Sequence, residues 1–470
     1  MENQKKLLDT IPLEVTFGFE VEFAVKTVPD QFIDPHPEDP RKVYGLTRPD
    51  DYDPGQWLPL IVTPDIVRLE NGTEDYEWPL EWEVQLNTLK RNIANVLNSN
   101  GFPAIAKCGN EDSDDGKNTT IEDLKYWVVD WDPTIAHGRY FHDPTTGEAL
   151  EDNQYYSWPI EIQSPAYIYN EENKQKVRGV LRCIDENYRT WCDSTADIHV
   201  HIGNGEKGFD VPTVRNFMAF VYTFENQIAT IHPAHYMTEN AFSKPLRTHS
   251  LLAESRDLWR ARVAERGTEE EIQNFDKNFV IDQIMDFKNV DDIVFALSSP
   301  ELNNNRFTQR LTYSICNLET DFEKVKKTIE FRQHKSTLDD EEIDHWITVC
   351  RSLVHFASIV DQEILVEFCK EHINKTVDEF TITEVLMAIN CPVQAYYYGI
   401  RVLDGKQKRE EEERKKEKIR ALNEKQKREE EERKKEEERK KKEKDGLDNK
   451  SSDSSNNQSS SSDSVSSLEL

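Results

Sequence analysis

The chain has 470 residues, of which 36% are hydrophobic and 10% aromatic, and a formal net charge of -31. From Asp404 to the C-terminus it carries 20 Lys+Arg and 20 Asp+Glu, so the whole acidic excess falls on the first 403 residues. A globular part this acidic repels phosphate backbones, which excludes nucleic acid as its partner.

In chain order, residues 13–25 alternate apolar and polar side chains and read as a strand. Residues 29–82 are rich in Asp, Pro and Trp and read as a loop-rich insertion, with a short hairpin expected around Trp57–Ile66. Glu83–Asn98 carries a one-sided apolar stripe closed by Gly101 and predicts a helix. Residues 109–120 form a polar loop; Tyr126–Val129 and Ser157–Ser164 are strands, the second stopped by Pro165. Glu171–Tyr188 is a helix, and Pro212 near a helix start predicts another over 212–231. Residues 233–305 read as a mostly helical, polar insertion. Thr337 or Asp339 caps a long helix expected to run through Cys369. Strands and helices intermix without a regular βαβ beat, which gives an α+β class.

Residues 404–445 are a different material. Lys406–Glu417 recurs letter for letter at 425–436, and Glu410/Arg414, Glu411/Lys415 and Glu412/Lys416 are favourably ordered i,i+4 pairs. Ile419 and Leu422 are nearly the only apolar residues, so no coiled-coil seam exists. The expectation is a solvated single helix of roughly 58 Å at about 1.5 Å per residue, a spacer that could offer a face to a protein partner. The Ser-rich stretch 446–470 reads as disordered. There is no apolar run of about 18 residues for a membrane span, and the N-terminus has no apolar signal core. Seven cysteines without CxxC spacing read as reduced thiols of a cytoplasmic protein.

Three strands repeat one pattern, two polar residues separated by an apolar one: Glu20/Glu22, His199/His201 and Glu330/Arg332/His334. A strand sends residues i and i+2 to the same face, so each set projects together. Glu161 sits among apolar residues on a fourth strand, and Asp130 and Asp132 end a fifth. Taken singly, a Glu pair on a strand is an ordinary solvated face, and a loop-start acid usually caps a turn. Taken together, carboxylates, imidazoles and a guanidinium suit a divalent cation and a phosphate-bearing ligand.

GFEVEF, PIEIQSP, DIHVHIG and TIEFRQHKSTLDDEEIDHW, in this order, resemble the amidoligase family, which stands with glutamine synthetase and γ-glutamylcysteine ligase among ATP-dependent carboxylate–amine ligases. The resemblance spans about residues 13–360; HxH and EFRQH are its specific motifs, and GxExE alone is weak. It implies a curved antiparallel sheet with helices packed on one side, within a catalytic domain over 1–403. It implies Glu20, Glu22, Glu161, His199 and Glu330 as ligands of two or three Mg²⁺ ions, His201 and Arg306 near the ATP phosphates, and Arg332 on the transferring phosphoryl group. The implied substrates are a small-molecule or peptide carboxylate and an amine, joined through an acyl phosphate. Asp132 is the candidate proton acceptor. His235-Tyr236 and Lys335-Ser336 depart from the family pattern and bear on substrate recognition.

Two other readings stand beside it. His199-Val200-His201 with Glu206 fits the HxHx₄E core of a cupin-like metal enzyme, although Asp193 and Thr213 replace the flanking glycines of that motif. A catalytically degenerate ligase fold presenting a charged helix is the other.

Overall fold

The computed structural model describes residues 13–29, 34, 36–41, 43–46, 65–68, 74–77, 80–108, 120–135, 140–142, 149–151, 155–233, 243–299, 310–320 and 326–452. The chain divides into two compact units, Met1–Ile400 and Arg401–Leu470.

The first unit opens with β1 (Thr16–Pro29), β2 (Tyr44–Leu46), β3 (Asp65–Arg68), β4 (Glu74–Glu77) and helix α1 (Leu80–Ser99). Then come β5 (Ala104–Ala106), β6 (Trp127–Asp130), β7 (Tyr140–His142), β8 (Ala149–Glu151), β9 (Tyr156–Gln163), β10 (Tyr167–Ile168), α2 (Glu171–Asn187), β11 (Thr190–Trp191) and β12 (Asp197–Gly203). Four helices follow: α3 (Val211–Ala229), α4 (Leu246–His249), α5 (Leu251–Arg266) and α6 (Glu269–Asp286). The remainder is α7 (Val290–Ala296), β13 (Tyr313–Ser314), β14 (Thr328–Lys335), α8 (Asp340–Ile359), α9 (Gln362–His372), α10 (Ile382–Ala388) and α11 (Pro392–Ser452).

One open sheet organises these elements, in the order β13-β14-β12-β1-β9-β6-β5, with β2, β10 and β11 also paired to β1. Its pairings are antiparallel except β1 with β2 and β5 with β6. The 14-residue β1 lies at the centre because it alternates well enough to be buried on both faces: Phe17, Phe19, Val21, Phe23 and Val25 on one side, Glu20 and Glu22 on the other. The apolar face meets a helix layer. Phe331 of β14 packs edge-on against Phe217 of α3 at 5.6 Å and against Trp346 of α8 at 6.2 Å between ring centroids. The helices start where short polar side chains accept from their first turn: Asn170 for α2, Asp210 for α3 with Pro212 just inside, Asp339 for α8. The α+β class and the one-sided helix layer follow the sequence expectation.

The hairpin expected around Trp57–Ile66 lies mostly outside the described residues, which omit 57–64; Asp65 and Ile66 belong to β3, which pairs with β4, Asp65 opposite Glu77. Two expectations are corrected. The helix expected to run to Cys369 breaks at Val360, which is extended, and Asp361 then caps α9 by accepting from Glu363 and Ile364. His334 does not line up with Glu330 and Arg332. The β12–β14 register shifts between Ile198 and Val200, so His334 pairs with core-facing Ile198. Its ring accordingly lies among the helices, 5.1 Å from that of His232 and 5.4 Å from Trp346.

In the second unit α11 continues to Ser452, with ion pairs Lys440–Glu436 at 2.9 Å and Arg433–Glu437 at 3.9 Å. Glu410 and Glu412 fall outside the described side chains, and 453–470 outside the described residues. All seven cysteines are free thiols. Among the described residues no helix is long and apolar enough to cross a membrane.

Candidate active site

Four strands bring the polar residues together on the sheet face opposite the helices. Register does the positioning: Glu20 of β1 lies opposite His199 of β12, Glu22 opposite Glu161 of β9, and His201 opposite Glu330 of β14. Glu20, Glu22, Glu161, His199, His201, Glu330 and Arg332 are all buried. Burying so many ionisable groups is costly unless they pair with one another or with a ligand.

Glu20 sits at the middle. Its Oε2 is 3.3 Å from His199 Nδ1, and its Oε1 is 3.2 Å from His201 Nε2 and 2.6 Å from Lys326 Nζ. Glu20, Glu161 and His199 each offer a ligand atom within 4.8 Å of the other two. His201 Nδ1 is held 3.0 Å from Thr328 Oγ1, which fixes the ring so that Nε2 points at the carboxylates. Glu22 accepts the Asp197 N–H at 2.8 Å, and Glu161 accepts from Gln163 at 3.0 Å. Arg332 is hydrogen-bonded to Glu330, and Arg310 reaches the same carboxylate at 3.9 Å.

The electrostatics divide the carboxylates. Burial works to protonate Glu20, but Lys326 and the two imidazoles outweigh it and hold the group well below the usual carboxylate range. Glu330 is likewise held low despite burial, by Arg332 first and then Arg310 and the imidazoles. Glu22 and Glu161 go the other way. Burial pushes both well up, reinforced for Glu22 by Asp197 and Asp132 and for Glu161 by Glu20 and Asp132. Burial, aided by Arg332, pushes His199 down toward the neutral imidazole that a metal needs. The face thus has more carboxylate than its cations neutralise. The buried Nε2 of His199 and Oε2 of Glu330 make no hydrogen bond to any described residue. A hard divalent cation among Glu20, Glu161 and His199 fits this donor set.

Asp132 lies at the start of the loop after β6. Its Oδ1 accepts from the Thr134 N–H at 2.7 Å and hydroxyl at 2.5 Å, a turn-capping role, while its charge still reaches Glu22 and Glu161. Arg306, His235 and Tyr236 lie outside the described residues. Glu206 is exposed on the turn after β12, away from the buried ligand set, which removes the carboxylate that the cupin-like reading needs. A hollow of about 560 Å³ is lined by Cys192, Ser194, Lys335 and Ser336 among others, and its lining contains none of the clustered carboxylates.

Sequence reasoning missed Lys326, Arg310, Asp197 and Thr328. Lys326 and Arg310 stand just outside the strands, where no alternation marks them. Asp197 was in plain view, two residues before His199 on the same strand and therefore on the same face.

A sheet with one helix-covered face and one face of buried carboxylates, imidazoles and a guanidinium defines an α+β protein with a single polar, ionisable face. The family model described as "Putative amidoligase enzyme" matches residues 13–354, and the chain belongs to that family. At that level it is a ligase of the carboxylate–amine type. The search of curated proteins finds no match to the chain.

Proposed function

We propose that the protein is an ATP- and Mg²⁺-dependent ligase that joins a carboxylate to an amine through an acyl phosphate. The observation that carries this reading is the convergence of Glu20, Glu161 and His199 within 4.8 Å, with Glu330 and Arg332 on the adjoining strand. A carboxylate is a poor electrophile at neutral pH. Its oxygen takes the γ-phosphoryl group as the bond from phosphorus to ADP breaks. The amine nitrogen then forms the C–N bond, inorganic phosphate leaves with the C–O electron pair, and one proton is lost from nitrogen. Mg²⁺, when bound, would supply charge neutralisation to the ATP phosphates.

The chain's own groups do the rest. Glu20, Glu22, Glu161, His199 and Glu330 would hold two or three Mg²⁺ ions; Glu22 and Glu161, pushed toward protonation in the free protein, ionise in a cation's field. His201, oriented by Thr328, would contact the ATP phosphates. Arg332 stabilises charge on the transferring group, and its pairing with Glu330 holds the guanidinium ready. Asp132, beside Glu22 and Glu161, takes the amine proton through the oxygen not engaged by Thr134.

The test is a phosphate-release assay with Mg-ATP against pooled carboxylic acids and amines. Steady-state phosphate release should require both pools, with carboxylic acids alone giving at most about one ADP per enzyme. Undiminished turnover after Glu20→Ala would overturn the reading.

A further inference from the structure

We infer that Lys326 is a built-in counter-ion that occupies the cation position of the free protein and is displaced when a divalent metal enters. The inference rests on the metal reading of the site and adds a residue to it. Lys326 stands two residues before β14, and its side chain is largely buried. Its ammonium lies 2.6 Å from Glu20 Oε1, the oxygen that His201 Nε2 also approaches at 3.2 Å. The same ammonium is within electrostatic reach of Glu161 and Glu330. It therefore pairs directly with Glu20, one member of the Glu20, Glu161 and His199 cluster, and its charge bears on two further carboxylates of the site.

Two physical consequences follow from that position. An ammonium beside Glu20 offsets part of the cost of burying these carboxylates without a metal. It also repels an arriving dication at short range, so metal affinity is held below what the ligands alone would give. The four-carbon stem lets the charge swing away without moving the strand, because Lys326 lies outside the β14 ladder.

The experiment is a Mn²⁺ titration of the full-length chain without nucleotide, read by loss of the free-ion electron paramagnetic resonance signal, with melting temperatures measured alongside. Wild type, Lys326→Met, Lys326→Arg and Glu161→Gln are compared. Lys326→Met should bind Mn²⁺ at least about tenfold tighter, melt lower without metal and recover with it. Lys326→Arg should bind as wild type does, and Glu161→Gln should bind much more weakly than wild type. Should Lys326→Met fail to fold without metal, Lys326→Gln, which keeps a donor for Glu20, carries the same expectation. Equal or weaker Mn²⁺ binding on neutralising Lys326 overturns the counter-ion role while leaving the metal site standing. No binding by any variant, or binding untouched by Glu161→Gln, overturns the metal site and the counter-ion role with it.

Discussion

Glu20 and His199 face each other across the β1–β12 pair, Oε2 to Nδ1 at 3.3 Å, although 179 positions separate them in the chain. This contact joins the most connected carboxylate of the site to the imidazole that burial keeps neutral. Glu20→Gln keeps the shape and removes the charge. It should lower amine-dependent ADP release at least about a hundredfold, consistent with loss of a charge-stabilising ligand. It should also abolish the rise in melting temperature expected of the wild type on adding Mg²⁺. Retention of that rise in Glu20→Gln would remove Glu20 from the ligand set.

Arg332 and Glu330 form a buried pair, so removing one partner exposes the other to the full cost of its burial. Arg332→Met should destabilise the protein by about 3–5 kcal/mol at pH 7. The pH dependence has a definite sign. Glu330 is depressed in the folded protein, so its contribution is complete above the ordinary carboxylate pKa and is lost as pH falls through the lower folded value. In the variant Glu330 protonates more readily, and the gap between variant and wild type should narrow from pH 7 to pH 4 in urea unfolding. A constant gap would mean that Arg332 acts by packing alone.

Glu225 of α3 is buried on the helix side and accepts the backbone N–H groups of Leu246 and Arg247 at 2.8 and 2.9 Å. Burial nevertheless pushes it up to about 7. Here the folded value exceeds the unfolded one, so the folded state binds more protons and stability falls as pH rises from the ordinary carboxylate range to about 7. The total is about 3 kcal/mol. Glu225→Gln should flatten that decline, at the cost of one of the two backbone hydrogen bonds. Urea unfolding at pH 5 and pH 7.5 measures the difference.

Two glycines flank the site and should respond oppositely to alanine. A Cβ at Gly18 would meet His201 Cβ at 3.6 Å, an ordinary contact. A Cβ at Gly203 would meet Thr16 Oγ1 at 2.8 Å and Thr328 Cγ2 at 3.2 Å. Gly203→Ala should cost about 1–3 kcal/mol and loosen the Thr328 hydroxyl that orients His201, while Gly18→Ala should be nearly neutral. Thermal melts of both, with Mn²⁺ affinity as a second reading, check this.

Much of this architecture could be read from residues 16–29, 156–163, 197–203 and 328–335, because an alternating strand states both its core face and its site face. The convergence of Glu20, Glu161 and His199 followed from that alternation together with the family resemblance. His334 did not follow, because alternation assumes an unbroken ladder and the β12–β14 register shift is not written in residue type. Lys326 was equally invisible: a lysine before a strand is ordinary, and only the folded chain shows which carboxylate it meets. The continuous helix expected to Cys369 failed because an apolar stripe persists across a break, while the capping Asp361 was there to be noticed.

The central strand has one further implication. Because Phe19, Val21 and Phe23 share β1 with Glu20 and Glu22, a slip of one residue would drive glutamates into the aromatic core and leave phenylalanines among the ligands. No such misalignment could survive folding. The oily side of the strand thus proofreads the chemical side, and catalytic geometry is inspected every time the molecule assembles.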